Sequence, residues 1–135
     1  MKTKINIAAL ALLIGTTAFA DAADTAQEHS TLVKSMMSQN TLSKCRTKNL
    51  QAMASEILEQ NNGCPKDLDV GALVDKAADS CAAEYDAAYE IMNKALSYST
   101  ANAADAKVAT DKQMATDKAK WAAKSSQPLL AICQK

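Results

Sequence analysis

Four cysteines, Cys45, Cys64, Cys81 and Cys133, are the residues of this 135-residue chain best suited to covalent chemistry. Their gaps of 19, 17 and 52 residues contain no C-x-x-C. Zinc sites and dithiol redox motifs bring sulfurs together in closely spaced pairs, so neither pattern fits. The chemistry left is oxidation into two structural disulfides, which form and persist in an oxidising compartment.

The other candidates resolve into ordinary surface or core. His29, the single histidine, neighbours Glu28, a pairing that can make a base or a pH sensor. No serine nucleophile motif accompanies it, and it reads as a solvated surface side chain. Asp75 with Asp79, and Asp86 with Glu90, are each four residues apart and share a helix face. Calcium gathers about six or more oxygens from a loop, so both pairs read as solvated faces. Met36 and Met37 lack the short M-x-M or histidine partners of a copper site and read as core packing. The basic groups Lys44, Arg46, Lys48 and Lys118, Lys120, Lys124 do not form a dense stripe interleaved with aromatics, which argues against nucleic acid. Tyr85 and Tyr89, one turn apart, are the candidate partner-binding pair, because tyrosine offers large contact area with few rotatable bonds. They also continue an apolar stripe from Val70, which makes core the competing reading. No catalytic residue, cofactor site or metal site is expected.

The amino terminus reads as an export signal. Lys2 and Lys4 precede an apolar run from Ile5 to Ile14 broken only by Asn6, and Ala18-Phe19-Ala20 supplies the small residues of a cleavage site. Residues 1–20 are the expected signal peptide, with cleavage after Ala22 as the alternative. About ten apolar residues are too few for the ~20 that span a bilayer, and no later window is apolar enough, so no membrane insertion is expected after cleavage. No cysteine near the cleavage point offers a lipid anchor. The style of signal points to the periplasm, with release outside the cell as the alternative.

Residues 21–135 then form one helical domain by length, with 21–30 as a flexible lead-in. The full chain has no net charge, and without Lys2 and Lys4 it carries 13 basic against 15 acidic side chains, a net of −2. No global field draws it to an anionic partner. The mature chain has no phenylalanine, and 23 of its 115 residues are alanine. Alanine favours helix but buries little surface, so covalent staples become physically useful in such a thin core.

Periodicity and caps predict an all-α, up-down bundle of about four helices plus a short C-terminal turn. A first helix capped by Asp24 runs to about Ser38 and presents Leu32, Val33, Met36 and Met37 as its apolar face. Ser38-Gln39-Asn40-Thr41 competes with helix and predicts a break. A second helix, Leu42 to Gln60, ends at Asn61-Asn62-Gly63-Cys64-Pro65, read as a glycine-capped hairpin turn. Asp67 and Asp69 suit the start of a third helix that keeps its period from Val70 through Leu96. A fourth, Ala103 to Lys124, carries Val108, Met114 and Trp121 and closes at Ser125-Ser126-Gln127-Pro128. The tetrapeptide Ala-Thr-Asp-Lys occurs at 109–112 and 115–118, a six-residue echo that fits no heptad.

Four cysteines allow three pairings, which helix geometry ranks. In an antiparallel hairpin at 1.5 Å per residue, Cys45 lies ~22 Å and Cys81 ~18 Å below the turn, at similar height. Cys64 sits in the turn, to which a returning fourth helix delivers Cys133. The favoured pairs are therefore Cys45 with Cys81 and Cys64 with Cys133. The rival, Cys64 with Cys81 and Cys45 with Cys133, requires the helix start to unwind, since a disulfide tolerates at most ~7 Å between Cα atoms.

A small helical body of this kind is better suited to presenting a surface than to catalysis. In outline it is similar to periplasmic immunity proteins, including those against type VI secreted amidases, although no specific motif accompanies the outline. The expected function is non-catalytic binding of another protein, as an envelope inhibitor or immunity-type protein. A periplasmic stress or chaperone-like protein and a secreted effector are the alternatives.

Overall fold

The structure is a computed structural model that describes residues 22–133, with side chains from Ala26 onward. The expected signal segment, residues 1–20, lies outside the described residues. Among them are four helices and no strand: α1 (Ala22–Gln60), α2 (Val70–Asp79), α3 (Ala82–Ser97) and α4 (Ala103–Cys133). The fold is all-α, a small bundle stapled by two disulfides, Cys45–Cys81 with Cα atoms 6.3 Å apart and Cys64–Cys133 at 5.4 Å. These are the pairs that hairpin geometry ranks first.

Helix boundaries differ from expectation in five places. The expected break at Ser38–Thr41 is absent, and Asp24 lies inside α1 rather than at its cap. On either side of that polar stretch Ser35 and Leu42 are fully buried. Tertiary packing overrides the local preference of Ser, Asn and Thr for bonding their own backbone.

At the other end of α1, Asn62 rather than Gly63 adopts the left-handed conformation, with φ 53°. Gly63 N–H reaches the Leu58 carbonyl at 2.8 Å and Asn62 N–H the Glu59 carbonyl at 3.3 Å. This is a Schellman closure with asparagine at the left-handed position and glycine one residue later, at φ 131°.

The expected long third helix is two helices. Asp69 caps α2 by accepting the Ala72 N–H at 3.0 Å. Ser80 ends it, donating both its N–H (3.2 Å) and its hydroxyl (2.7 Å) to the Ala77 carbonyl. The Cys81 carbonyl then accepts the Tyr85 N–H at 2.8 Å and opens α3.

Finally, α4 continues through Pro128 to Cys133 instead of closing before it, so the expected C-terminal turn is helical. Proline lacks the N–H that would bond back one turn. Burial of Leu129 and the bond from Cys133 to Cys64 hold the residues beyond it. At its start, Asn102 caps α4 by accepting the Asp105 N–H at 2.9 Å.

The chain divides into two compact units. The first comprises the described part of Met1–Asn40 with Asp86–Ala115. Its interior holds Leu32, Ala88, Met92, Ala95, Leu96, Ala106 and Met114, together with buried Thr31, Ser35 and Thr110. Polar groups there find partners in soft or backbone acceptors. Ser35 Oγ donates to Met92 Sδ at 3.6 Å, Gln39 Nε2 to Met114 Sδ at 3.0 Å, and Thr110 Oγ1 to the Ala106 carbonyl at 2.7 Å.

The second unit comprises Thr41–Tyr85 with Thr116–Lys135. Its core is Leu50, Val70, Leu73, Val74, Ala77, Ala78, Trp121 and Leu129, flanked by Met53, Ile57, Leu68, Leu130 and Cys133. All four cysteines belong to this unit.

Candidate functional site

The first unit presents the least expected surface. In α1, Val33 is 55% exposed, Met36 50% and Met37 63%. At 3.6 residues per turn these three share one side of the helix, roughly opposite Thr31 and Ser35, which are buried. The expected apolar face of Leu32, Val33, Met36 and Met37 is therefore corrected: only Leu32 faces inward. The helix buries a threonine and a serine and turns two methionines and a valine to solvent. Methionine is unbranched and polarizable, and recurs where a surface adapts to a partner. In the same unit Val108 of α4 is also exposed.

The two tyrosines fall in different units, Tyr85 in the second and Tyr89 in the first. Both are half-buried. Tyr89 donates its hydroxyl to Asp111 Oδ1, and Lys107 Nζ pairs with Asp111 Oδ2 at 3.0 Å. The Tyr89 hydrogen bond, then that from Lys107, hold the Asp111 carboxyl below its usual range. The hydrogen bond to Asp111 raises Lys107 in turn.

The second unit has a polar junction where α2 meets α3. Arg46 of α1, 2% exposed, donates from Nε to the Ala78 carbonyl at 3.2 Å, satisfying the last turn of α2, where a cation also suits the helix dipole. Its guanidinium lies 5.9 Å from the Trp121 ring centroid. Burial lowers the Arg46 pKa, and Asp79, Tyr85 and Asp117 oppose that shift. Trp121 Nε1 donates to Thr47 Oγ1 at 3.0 Å, so the one indole is both packed and satisfied. Lys118 and Asp79 form an ion pair at 2.8 Å on the exterior, a contact of small energetic weight.

Around the Cys45–Cys81 bond, Asn49 Nδ2 approaches Ser80 Oγ at 2.7 Å and Cys81 Sγ at 3.4 Å. A Glu84 oxygen and the two sulfurs lie within 4.8 Å of one another. With the sulfurs bonded to each other, neither offers the thiolate a metal requires. The arrangement is chemically a closed staple beside a carboxylate.

The remaining sequence candidates lie mostly at the surface. His29 is exposed near the start of α1, and Asp75, Asp79, Asp86 and Glu90 are all exposed. Of the first basic trio, Lys44 and Lys48 face solvent while Arg46 is interior. Sequence reading assigned the methionines to the core. The signal that places them outside is a three-four spacing through Thr31, Ser35, Gln39, Leu42, Arg46 and Asn49, a stripe disguised by its polar members. No described helix is long and apolar enough to cross a membrane. The two disulfides indicate an oxidising, non-cytoplasmic compartment. Neither a protein family, nor a curated protein, nor a solved structure matches the chain.

Proposed function

We propose that this is an exported, non-catalytic helical protein that binds another protein in the periplasm, as an inhibitor or immunity-type protein. The observation that carries this reading is the outward face of Val33, Met36 and Met37 on α1. Exposed apolar residues gathered on one helix face lose unfavourable hydration when a partner covers them, and an apolar helix face fits a groove through residues spaced three and four apart. Tyr89, partly exposed in the same unit, is a secondary contact.

The test is recovery of the tagged mature chain from envelope extracts. The expected result is a stoichiometric complex with one protein that is lost in the Met36→Glu/Met37→Glu variant while helix content is kept. A chain that elutes alone at native abundance, or a complex indifferent to those substitutions, refutes the proposal.

A chaperone-like role is the second reading, and one observation favours it. The first unit contains the outward methionine face, an interior with buried Thr31, Ser35 and Thr110, and no cysteine. It is the unit whose opening no covalent bond restrains. This reading expects dye-binding apolar surface and suppression of client aggregation on acidification, and inert behaviour in both assays eliminates it.

A further inference from the structure

The two disulfides of the second unit differ in their surroundings. Cys81 is 2% exposed, enclosed where α2 meets α3, with its sulfur near Asn49 and Ser80. Cys64 and Cys133 are both half-buried, one in the turn after α1 and the other at the last residue of α4. Cys45, the partner of Cys81, is half-buried as well. The difference in access is that one half of Cys45–Cys81 is enclosed while neither half of Cys64–Cys133 is, and a thiolate must reach the sulfur it attacks.

The segment tied down by Cys133 is also the part of α4 with the weakest backbone connection. Pro128 lies within α4, and its ring nitrogen has no hydrogen to give the preceding turn. Beyond it, Leu129, Leu130 and Cys133 pack against the apolar cluster that includes Leu50, Val70, Leu73 and Val74. The end of α4 is thus a short strap across that cluster, held by two leucines and one covalent bond.

We infer that Cys64–Cys133 is a reducible latch: a dithiol reductant opens it while Cys45–Cys81 stays closed, and the α4 segment after Pro128 then lifts from the cluster. One thiolate of the dithiol attacks Cys133 Sγ. The sulfur–sulfur bond breaks with its electron pair going to Cys64, which takes up a proton. Cys64 is the better leaving group because Cys133 sits at the negative end of a long helix, where a thiolate is disfavoured. The second thiolate of the reductant attacks its own sulfur in the mixed disulfide and expels Cys133, which takes up the second proton. Two electrons and two protons pass to the protein, and the reductant leaves as its disulfide. Opening uncovers apolar surface within the second unit, separate from the α1 face of the first.

The experiment titrates the oxidised protein with dithiothreitol under native conditions, traps free thiols with N-ethylmaleimide and maps them by peptide mass. Hydrogen exchange of the half-reduced species follows. The expected result is alkylation of Cys64 and Cys133 at least tenfold faster than of Cys45 and Cys81. Amide protection should fall over 129–133 and persist over Val70–Asp79. Simultaneous reduction of both bonds, earlier reduction of Cys45–Cys81, or unchanged protection over 129–133 after selective opening each overturns the inference. Cys64→Ser/Cys133→Ser provides a second route, since it should reproduce the exchange pattern of the half-reduced wild type.

Discussion

Replacing Arg46 probes the junction of α2 and α3 more sharply than any apolar truncation. In Arg46→Ala the Ala78 carbonyl loses a charged donor 3.2 Å away, a loss of about 2 kcal/mol. The guanidinium leaves the Trp121 ring, 5.9 Å from its centroid, removing about 1 kcal/mol. Two stem methylenes leave a buried site at roughly 0.8 kcal/mol each. Against these stands recovery of the hydration that burial takes from the cation, the cause of its lowered pKa. The net expected destabilisation is about 3 kcal/mol. Arg46→Met keeps the stem and a sulfur–aromatic contact but not the donor, and should lose only about 1–2 kcal/mol. Urea unfolding of the disulfide-intact proteins, followed by Trp121 fluorescence and far-ultraviolet circular dichroism, measures both. If Arg46→Ala falls within 1 kcal/mol of wild type, or Arg46→Met is the more damaging, Arg46 is not the buried cap described above.

Other substitutions separate interior from surface. Leu96→Ala, at a fully buried position of the first unit, should destabilise by about 2–5 kcal/mol in the same assay. Asp69→Ala removes the cap of α2 and should remove about 1 kcal/mol. Val33→Ser, Met36→Ser and Met37→Ser should each change stability by less than about 0.5 kcal/mol, because these residues face solvent. The Asp111 carboxyl is depressed in the folded chain by the Tyr89 hydroxyl and then by Lys107, so its contribution is present above the ordinary carboxylate pKa and lost as pH falls through the lowered one. Carboxyl-carbon NMR titration should show Asp111 titrating higher in Tyr89→Phe than in wild type; an unchanged midpoint contradicts the assignment.

The covalent framework was legible because it depends on helix rise and one turn. Asn61 to Pro65 punctuates the chain strongly enough to fix a hairpin, and the heights of Cys45 and Cys81 follow from counting residues. The all-α class was legible in the helical periodicity, and the start of α2 in Asp69, which accepts from Ala72. Where propensity and tertiary packing disagreed, local reading failed. Ser38 to Thr41 stay helical between buried Ser35 and Leu42, and α4 passes Pro128 because Leu129 and Cys133 are anchored beyond it. Conversely, the apolar period from Val70 to Leu96 concealed the interruption at Ser80, where a serine closing on Ala77 resets the helix.

The candidate surface was misread for a related reason. Helix-facing rules rank residues by hydropathy, and by that measure Val33, Met36 and Met37 belong inside. In the first unit the buried positions of α1 include Thr31 and Ser35, whose hydroxyls reach the Gln27 carbonyl and the Met92 sulfur. A hydroxyl paired in this way can be buried without the desolvation penalty that makes unpaired polar groups rare in interiors. The result is a helix whose inward stripe is partly polar and whose outward stripe is partly apolar, an inversion that composition alone does not reveal.

Site-specific photo-crosslinking in the native cells tests the central claim most directly. A photoreactive amino acid at position 36 of the full chain is compared with one at exposed position 75 on α2. The outward α1 face as a partner-binding surface predicts one discrete heavier adduct from position 36 and none from position 75. No adduct from position 36, or the same set of adducts from both positions, contradicts it.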